Sequence, residues 1–519
     1  MAMAQAVRCT SHLLQGSSLS SLLHCLCVPS VRVLTSSSIY PHSTQLRPTF
    51  KHHIRWMCDD SVRWLWPADE DSISFDAGHR HGTRKGIVAV TLNTTKPLQL
   101  HYLKEAFHHL QRRIPTFRMC LRPRGDSLWF CEPSQVSVNI QMLADDDNLL
   151  EVMSKVGKEQ FTYCDPVQWK AIFIPRRAHI PCPLPELQHS FPHQCDFVFT
   201  AHHALYNGMD CNFMLKCLVD ILNDIIAGQP VDDSPCSVFT DRDEIQILRK
   251  NVRENLRKNT KRIDEVRKSM PSADTVPLLF ETFPRPTAIK RTTRFVSHNI
   301  EPLVIKQFHE KAKKAGVSIY SALTAAVNTA IVELANEAGK VHETCTVSTY
   351  HLLKLGNQKT EMKYQLGLLN VCLSHSSHVD KNIKSNFWDY SKKLHHELGW
   401  SLNSELALEQ VMVKNMDHPI ASPDDPFINP SPVLHDYTLN YLGVVPSHLY
   451  ENSEHVQVTR WVCYNFIHSF AYTNMHIIMQ FLGYCIYSIS YDTHHLSDET
   501  AKLLIHKILS VITDVTKMQ

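Results

Sequence analysis

The feature that most restricts the fold of this chain is a pair of adjacent histidines, His202 and His203, directly after a short apolar segment. The segment, Asp196 to Ala201, is rich in aromatic residues and is typical of a buried strand. Apolar residues then recur at helical spacing at Met214, Leu218, Ile221, Leu222 and Ile225. The two histidines therefore lie where a strand ends and a turn begins, and Gly208 gives that turn its freedom in φ. A histidine held at a strand end and open to a cleft suits a general base, because imidazole gains and loses a proton near neutral pH.

A histidine pair by itself is weak support for a site, because the chain has 32 histidines and a single one is usually solvated or hydrogen-bonded. Adjacent pairs also occur at His52-His53, His108-His109, His395-His396 and His494-His495. The pair at 202–203 differs because it opens the string His-His-x-x-x-Asn-Gly, which ends at Asn207 and Gly208. This string resembles the HHxxxDG signature of the condensation-domain and alcohol-acyltransferase members of the chloramphenicol-acetyltransferase-like superfamily. Asn207 stands where that family usually carries Asp.

Other passages carry the same resemblance. Residues 313–326, with the sequence KKAGVSIYSALTAA, are similar to the GVTxNxxLxAA stretch of condensation and acyltransferase domains. Leu439 to Gly443 resembles the FNYLG strand of condensation domains, and Leu366 to Val371 is a further match. The order of the predicted strands and helices follows the family from about Trp56 to the C-terminus.

The resemblance implies a mixed α/β (α+β) fold in which two chloramphenicol-acetyltransferase-like subdomains face each other across an active-site tunnel. We expect the first subdomain, with the histidine motif, at residues 56–285 and the second at residues 286–519. The prolines between Pro271 and Pro286 indicate the linker that joins them. The charged segment from Asp241 to Lys268 precedes this linker and is expected to form a solvent-exposed helix.

Composition argues against several classes of function. Hydrophobic residues make up 43% and charged residues 20% of the 519 residues, which is ordinary for a globular chain with room for two cores. A formal net charge of +2 is too small to favour nucleic acid or an acidic membrane surface as a partner. The sequence contains no run of about 18 apolar residues, so no transmembrane helix is predicted. The 16 cysteines show no zinc-finger spacing and are expected to be mostly reduced and buried.

Metal and phosphate-loop chemistry has little support in the sequence. No GxxxxGK[ST] loop and no HExxH zinc motif occurs. His202, His203 and Asp210 could in principle share a metal ion. Adjacent residues of a strand point to opposite faces, however, so joint chelation by the two histidines is disfavoured.

The first 55 residues have the composition of a targeting segment. Asp59 is the first acidic residue, and the chain before it is basic and rich in serine. This composition is typical of a mitochondrial presequence, so we expect mitochondrial import. A secretory signal is the first alternative because Leu22 to Val31 is fairly apolar, although His24 and Pro29 interrupt it. A disordered leader on a cytoplasmic protein is the second alternative.

The resemblance also assigns roles within the motif. His203 corresponds to the family's general base, and His202 to a residue that points into the core and holds the turn that Gly208 permits. The Asp that Asn207 replaces is structural in the family and pairs with an Arg of the second subdomain. The nearest counterpart of that Arg's stretch is Thr349 to Lys354, which contains no Arg, so both partners of the pair are missing together. Losing both partners leaves no buried unpaired charge.

The function implied by the resemblance is an acyltransferase that moves an acyl group from a thioester to a hydroxyl or amine acceptor. Acyl-CoA is the expected donor, as a co-substrate and not as a permanently bound cofactor, and an acyl carrier thioester is the other source. Asn440 and Tyr441 are candidates for the tunnel wall, with ordinary strand residues as the alternative. No adenylation or carrier region flanks the unit, so we expect a free-standing enzyme. Two alternatives stay open, a non-catalytic protein that binds an acyl thioester or a partner, and a thioesterase that uses water as acceptor.

Overall fold

A computed structural model describes residues 62–145, 147–177, 184–239, 243–287, 290–354, 364–367, 370–402, 405–445, 453–469 and 473–518. All of them belong to one compact unit that runs from His52 to Gln519. The expected leader at residues 1–55 lies outside the described residues, as do residues 368–369 of the Leu366 to Val371 match.

Strands and helices alternate along the described chain. The strands are β1 Val62–Pro67, β2 Lys85–Thr94, β3 Cys120–Arg124, β4 Ser127–Pro133, β5 Ile140–Met142, β6 Trp169–Arg176, β7 His193–Ala201, β8 Ser237–Phe239, β9 Thr293–Ile300, β10 Thr344–Lys354, β11 Tyr364–Leu366, β12 Asn370–Asp380, β13 Tyr437–Val444, β14 Val456–Phe466, β15 Asn474–Phe481 and β16 Tyr484–Asp492. The helices are α1 Glu70–Arg80, α2 Leu100–Arg113, α3 Leu149–Val156, α4 Gly208–Ala227, α5 Asp243–Lys258, α6 Thr260–Lys268, α7 Leu278–Thr282, α8 Pro302–Lys314, α9 Ile319–Glu337, α10 Phe387–Leu402, α11 Leu406–Asp417, α12 Asp425–Ile428 and α13 Asp498–Lys517.

The sheet that carries the histidine motif has the strand order β14-β2-β7-β6-β5. Helices cover both faces of this sheet, and successive side chains of each strand point alternately to the two faces. On one face, Phe107 of α2, Phe117 and Trp169 lie with ring centroids 5.1 to 5.7 Å apart, and α4 packs beside α2. Val152 and Met153 of α3 cover the other face. Burial of these large rings fixes β7 and thereby the start of the turn that follows it.

The second sheet has the order β12-β10-β13-β15-β16-β9. α9 packs over it together with α10 and α13, and its residues from Ser321 to Val332 are all buried. A helix that is buried on all sides needs the small, apolar residues that give this segment its Ala-rich sequence. No described helix alone has the length and apolar character to cross a membrane. α8 and α9 meet that test only when taken together, and the two are bent by 108°.

Two strand pairings join the two halves of the sequence. β14 pairs antiparallel with β2 along its whole length, so a strand from the second expected subdomain completes the first sheet. β11 pairs parallel with β8, and Tyr364 N donates to Cys236 O at 3.2 Å where this pair begins. The sheet next to the motif is therefore built from both expected subdomains.

One local expectation was wrong. The charged segment forms α5 and α6 instead of a single helix, because the side chain of Asn259 caps α6 by accepting from Arg262 N at 3.1 Å. The segment expected to be the linker contains the short helix α7. Leu278 and Leu279 of α7 are buried, which holds the linker against the second half.

Candidate active site

The motif turn starts where β7 leaves the sheet. His202 N donates to Gln168 O at 2.8 Å, and Leu205 N donates to His202 O at 2.9 Å and closes the turn. The first turn of α4 is then held by a reciprocal pair, in which Asp210 N donates to Asn207 Oδ1 and Asn207 N donates to Asp210 Oδ2, each at 3.0 Å. This is a capping box, in which two side chains accept from N–H groups that have no partner within the helix.

Asp210 also connects this turn to the second half. Its side chain is fully buried, and its Oδ2 accepts from Gly367 N at 3.2 Å. Gly367 has a φ of 75°, and a methyl group at this position would meet the Phe239 ring at 2.6 Å, so glycine is required for this approach. The turn therefore has a carboxylate link to the second half, three residues after Asn207. Within the described part of the chain, no group of three or more His, Cys, Asp or Glu side chains is placed to hold a metal ion.

His202 is buried against α1. Its side chain is 1% exposed, and its Nδ1 accepts from Ala204 N at 3.3 Å. The proton is therefore on Nε2, which lies 3.5 Å from Asp76 Oδ1. Asp76 in turn accepts from the Tyr163 hydroxyl at 2.8 Å and from Arg80 at 3.0 Å. Through these contacts the His202 side chain holds the motif turn against α1.

His203 is only half-buried, unlike its neighbour. Its Nδ1 lies 2.7 Å from Tyr206 O, and because a carbonyl oxygen only accepts, the Nδ1 atom carries the proton. The other ring nitrogen, Nε2, then has a lone pair. Burial lowers the pKa of His203 to about 4, the hydrogen bond to Tyr206 opposes this shift, and the positive charge of Arg84 adds to it. At neutral pH the ring is therefore uncharged and can accept a proton at Nε2.

The side chains beside His203 come from α1 and from the residues just after it. The Phe75 ring centroid lies 4.5 Å from that of His203, and the Arg84 guanidinium lies 4.2 Å from the Phe75 centroid on the ring's face. Arg84 has a φ of 52°, in the left-handed region that residues other than glycine rarely adopt. Its Nη1 donates to Ser74 Oγ at 2.5 Å. Strained residues of this kind concentrate at functional sites, where the surrounding contacts hold them.

α1 and Arg84 were missed by the sequence analysis. The available signal was local and modest: Asp69 caps α1 by accepting from Ser72 N at 2.7 Å, and the first turn contains the acidic residues Glu70 and Asp71. Nothing in this signal indicates that α1 contacts a turn more than 120 residues later.

β13 faces the motif turn from the second half. A methyl group at Gly208 would lie 3.5 Å from Leu442 Cδ2, so the strand is in contact with the turn. Asn440 is half-buried, and the Tyr441 hydroxyl accepts from Gln480 at 3.4 Å. Burial raises the pKa of Tyr441, so its hydroxyl stays neutral. Adjacent residues of a strand point to opposite faces, and Tyr441 packs on the helix-covered side, with its ring centroid 6.3 Å from that of Tyr320 in α9. None of the described hydrogen bonds or ring contacts joins Asn440 or Tyr441 to His203.

Comparison with solved structures identifies the fold. The chain is similar to the condensation domain of the monacolin K polyketide synthase, with a TM-score of 0.59 at 11% identity over 88% of this chain and 98% of that one. The chain has a condensation-domain fold. This chain is also similar to the epimerization domain from the third module of tyrocidine synthetase B, with a TM-score of 0.62 at 12% identity over 89% of this chain and 98% of that one. Trichothecene 15-O-acetyltransferase from Fusarium sporotrichioides is similar with a TM-score of 0.60, at 12% identity over 87% and 95%.

The condensation-domain fold confirms the expected mixed α/β architecture of two chloramphenicol-acetyltransferase-like subdomains. The likeness is one of structure. No family model matches the sequence, and no curated protein matches it. At such low identity the backbone is what the proteins share, so the roles of side chains depend on the geometry around the motif turn.

Asn207→Asp is expected to lower the free energy of unfolding by about 1–3 kcal/mol. The new carboxylate would lie beside the buried carboxylate of Asp210 in the same capping box, and two like charges in one buried site disfavour each other. Urea or thermal unfolding measures the change. Asn148→Asp is the matched control, because Asn148 caps α3 at an exposed position where a carboxylate is as good a cap. A higher melting temperature for Asn207→Asp would show that a nearby cation compensates the new charge.

Proposed function

We propose that this chain transfers an acyl group from a thioester to a hydroxyl or amine acceptor, with His203 as the general base. The observation that carries the proposal is the 2.7 Å hydrogen bond from His203 Nδ1 to Tyr206 O, which leaves Nε2 as a proton acceptor. The ring is neutral at physiological pH and half-buried at the end of a strand, where it is held firmly and can still be reached. It can therefore take a proton from a bound acceptor without first losing one.

The reaction follows from this arrangement in two steps. The acceptor oxygen or nitrogen attacks the thioester carbonyl carbon while His203 Nε2 takes the acceptor's proton, and the carbonyl oxygen then carries the negative charge. When this tetrahedral intermediate collapses, the C–S bond breaks and the imidazolium returns the proton to the leaving sulfur. The products are an ester or an amide and a free thiol, and His203 is neutral again.

Acyl-CoA is the proposed donor, as a co-substrate. A carrier-bound acyl group would supply the same thioester chemistry. The similar structures support acyl transfer as the class of reaction, since they include the condensation domain of a polyketide synthase and a trichothecene 15-O-acetyltransferase. They do not choose between the two donors.

Thiol release from acyl-CoA, measured with and without alcohol and amine acceptors, tests the proposal. Release that depends on the acceptor supports acyl transfer. Release without any acceptor would make the chain a thioesterase, and binding of acyl-CoA with no release would make it a binding protein. Mass spectrometry of the small molecules that co-purify with the protein supplies the acyl chains and acceptors to be tried first.

The acid limb of the pH profile of kcat/KM is expected near pH 4. Burial lowers the pKa of His203 to about 4, and activity is lost only as the pH falls through that value, because the neutral ring is the active base. At pH 5.5 an unshifted histidine would keep only about a tenth of its activity, whereas this one keeps most of it. Arg84→Met removes the adjacent positive charge and should move the limb to higher pH. If the acid limb of the wild-type profile gave a pKa near the ordinary value for histidine, the lowering of the His203 pKa by burial would be contradicted.

We also propose that residues 1–55 direct import into mitochondria, because this stretch is basic, rich in serine and free of acidic residues. A fusion of the segment to a fluorescent reporter is expected to accumulate in mitochondria. A diffuse cytosolic signal, or secretion of the reporter, would contradict the proposal.

A further inference from the structure

Two cysteines away from the motif turn are in contact with each other. Cys217 lies in the middle of α4, and Cys236 directly precedes β8. Both are free thiols, and their Sγ atoms are 3.8 Å apart, so one thiol donates a hydrogen bond to the other. A disulfide bond is about 2.05 Å long, and a change in one side-chain torsion angle can bring the two sulfurs to that distance.

The two cysteines differ in how well solvent reaches them. Cys217 is 4% exposed and belongs to the core of the first sheet. Cys236 is half-buried and ends a surface segment, since every residue from 227 to 235 except Val231 is exposed. A small oxidant from solvent can therefore reach Cys236, and the buried Cys217 is in contact with it.

The surroundings of Cys236 favour its thiolate. The hydrogen bond from Cys217 holds the pKa of the Cys236 thiol below its ordinary value, burial opposes this shift, and the positive charge of Arg113 adds to it. The pKa of Cys217 is raised, because its proton is held in that hydrogen bond and because the side chain is buried. The thiolate is the form of cysteine that reacts with oxidants, so Cys236 is the reactive member of the pair.

Burial keeps most of the other described cysteines unreactive. It raises the pKa of five thiols, those of Cys120, Cys195, Cys211, Cys463 and Cys485. Cys164 is exposed instead, so it is a control for reactivity that depends on exposure alone.

A bond between the two sulfurs would connect two important parts of the fold. α4 begins at Gly208, directly after the motif turn. Cys236 lies at the start of the strand pair that joins the two halves, where Tyr364 N donates to Cys236 O at 3.2 Å and β11 pairs with β8. The Phe213 ring of α4 already stacks on Tyr364, with the ring centroids 4.2 Å apart. A disulfide would therefore fix the helix that follows the motif to this junction.

We propose that Cys217 and Cys236 form a redox modification site, at which hydrogen peroxide converts the two thiols into a disulfide. The Cys236 thiolate attacks one peroxide oxygen, the O–O bond breaks, and the other oxygen takes a proton and leaves as water. The Cys217 sulfur then attacks the sulfur of the resulting Cys236 sulfenic acid, and the S–O bond breaks. The proton of Cys217 and the released hydroxide give a second water. One peroxide is thereby reduced to two waters while two thiols are oxidised.

Peptide mapping of the full chain tests the proposal. The protein is reduced, freed of reductant and treated with hydrogen peroxide, and the remaining free thiols are blocked with iodoacetamide. Trypsin, which cleaves after Lys216 and Arg242, then releases both cysteines in one peptide, residues 217–242. We expect this peptide to be two hydrogen atoms lighter than the dithiol and to take up iodoacetamide only after reduction. At pH 7 the disulfide should form about tenfold faster than Cys164 is oxidised, because a larger fraction of Cys236 is thiolate.

Three variants separate the two steps. Cys217→Ser leaves Cys236 without its partner, so peroxide should produce a sulfenic acid at Cys236 that dimedone traps, with no disulfide. Cys236→Ser removes the reactive thiolate and should leave Cys217 unoxidised at the same dose. Cys164→Ser is the matched control and should form the disulfide as wild type does.

Each outcome decides for or against the site. Oxidation of Cys164 before the 217–242 peptide, or a sulfenic acid at Cys236 of wild type that never proceeds to the disulfide, would overturn the inference. The oxidised wild type should also unfold at a higher temperature than the reduced protein, and an unchanged melting temperature would contradict the fixing of α4 to the strand pair. These measurements do not depend on turnover, so failure of the proposed acyl transfer would leave them unaffected.

Discussion

His203→Ala is expected to lower turnover by about 10²–10⁴-fold while the fold and acyl-thioester binding survive. The substitution removes the Nε2 atom that takes the acceptor's proton. It leaves the capping box of Asn207 and Asp210 in place, and that box holds the turn independently of the imidazole. The measurements are kcat with acyl-CoA and an acceptor, acyl-CoA affinity by calorimetry, and the melting temperature.

His418→Ala is the control for His203→Ala, because His418 is exposed just after α11 and away from the motif turn. It should leave turnover unchanged. If His203→Ala kept near-normal turnover with any acceptor, general-base catalysis by this residue would be excluded.

His202→Ala is expected to have the opposite signature, a loss of stability of about 1–3 kcal/mol with a much smaller effect on turnover. His202 is buried between the turn and α1, where its ring lies 4.7 Å from His79 and its Nε2 faces Asp76. Removing it leaves a cavity and takes away one partner of a buried carboxylate. Urea unfolding measures the loss. An unchanged unfolding midpoint for His202→Ala would contradict the claim that this side chain stabilises the packing of the motif turn on α1.

The parts of the site that the sequence predicted are local. The strand before the motif, the turn and the helix after it follow from hydrophobic periodicity and from one glycine, and the structure has all three as β7, the motif turn and α4. Gly316 and Ser318 are a similar local signal for the start of α9. In the structure Gly316 has a φ of 72°, and Ser318 caps the helix by accepting from Ser321 N. Such signals need only a few neighbouring residues to be read.

The parts that could not be predicted depend on contacts between distant segments. Phe75 contacts the His203 ring and Arg84 lies over Phe75, because α1 packs against the motif turn. No periodicity in the sequence carries that information. The same holds for Asp210, whose partner Gly367 lies in the other half of the chain. The motif's missing Asp was visible in the sequence, but the carboxylate that links the turn to the second half was not.

A single-turnover reaction with an isotopically labelled acyl group on CoA tests the central claim most directly. Enzyme in excess is mixed with labelled acyl-CoA and an acceptor, and the label is followed by mass spectrometry in wild type and in His203→Ala. We predict that in wild type the label moves to the acceptor as an ester or amide, with one thiol released per product, and that His203→Ala slows this transfer by about 10²–10⁴-fold. Label that appears only as free acid, or that stays on CoA with every acceptor, would contradict acyl transfer by this chain.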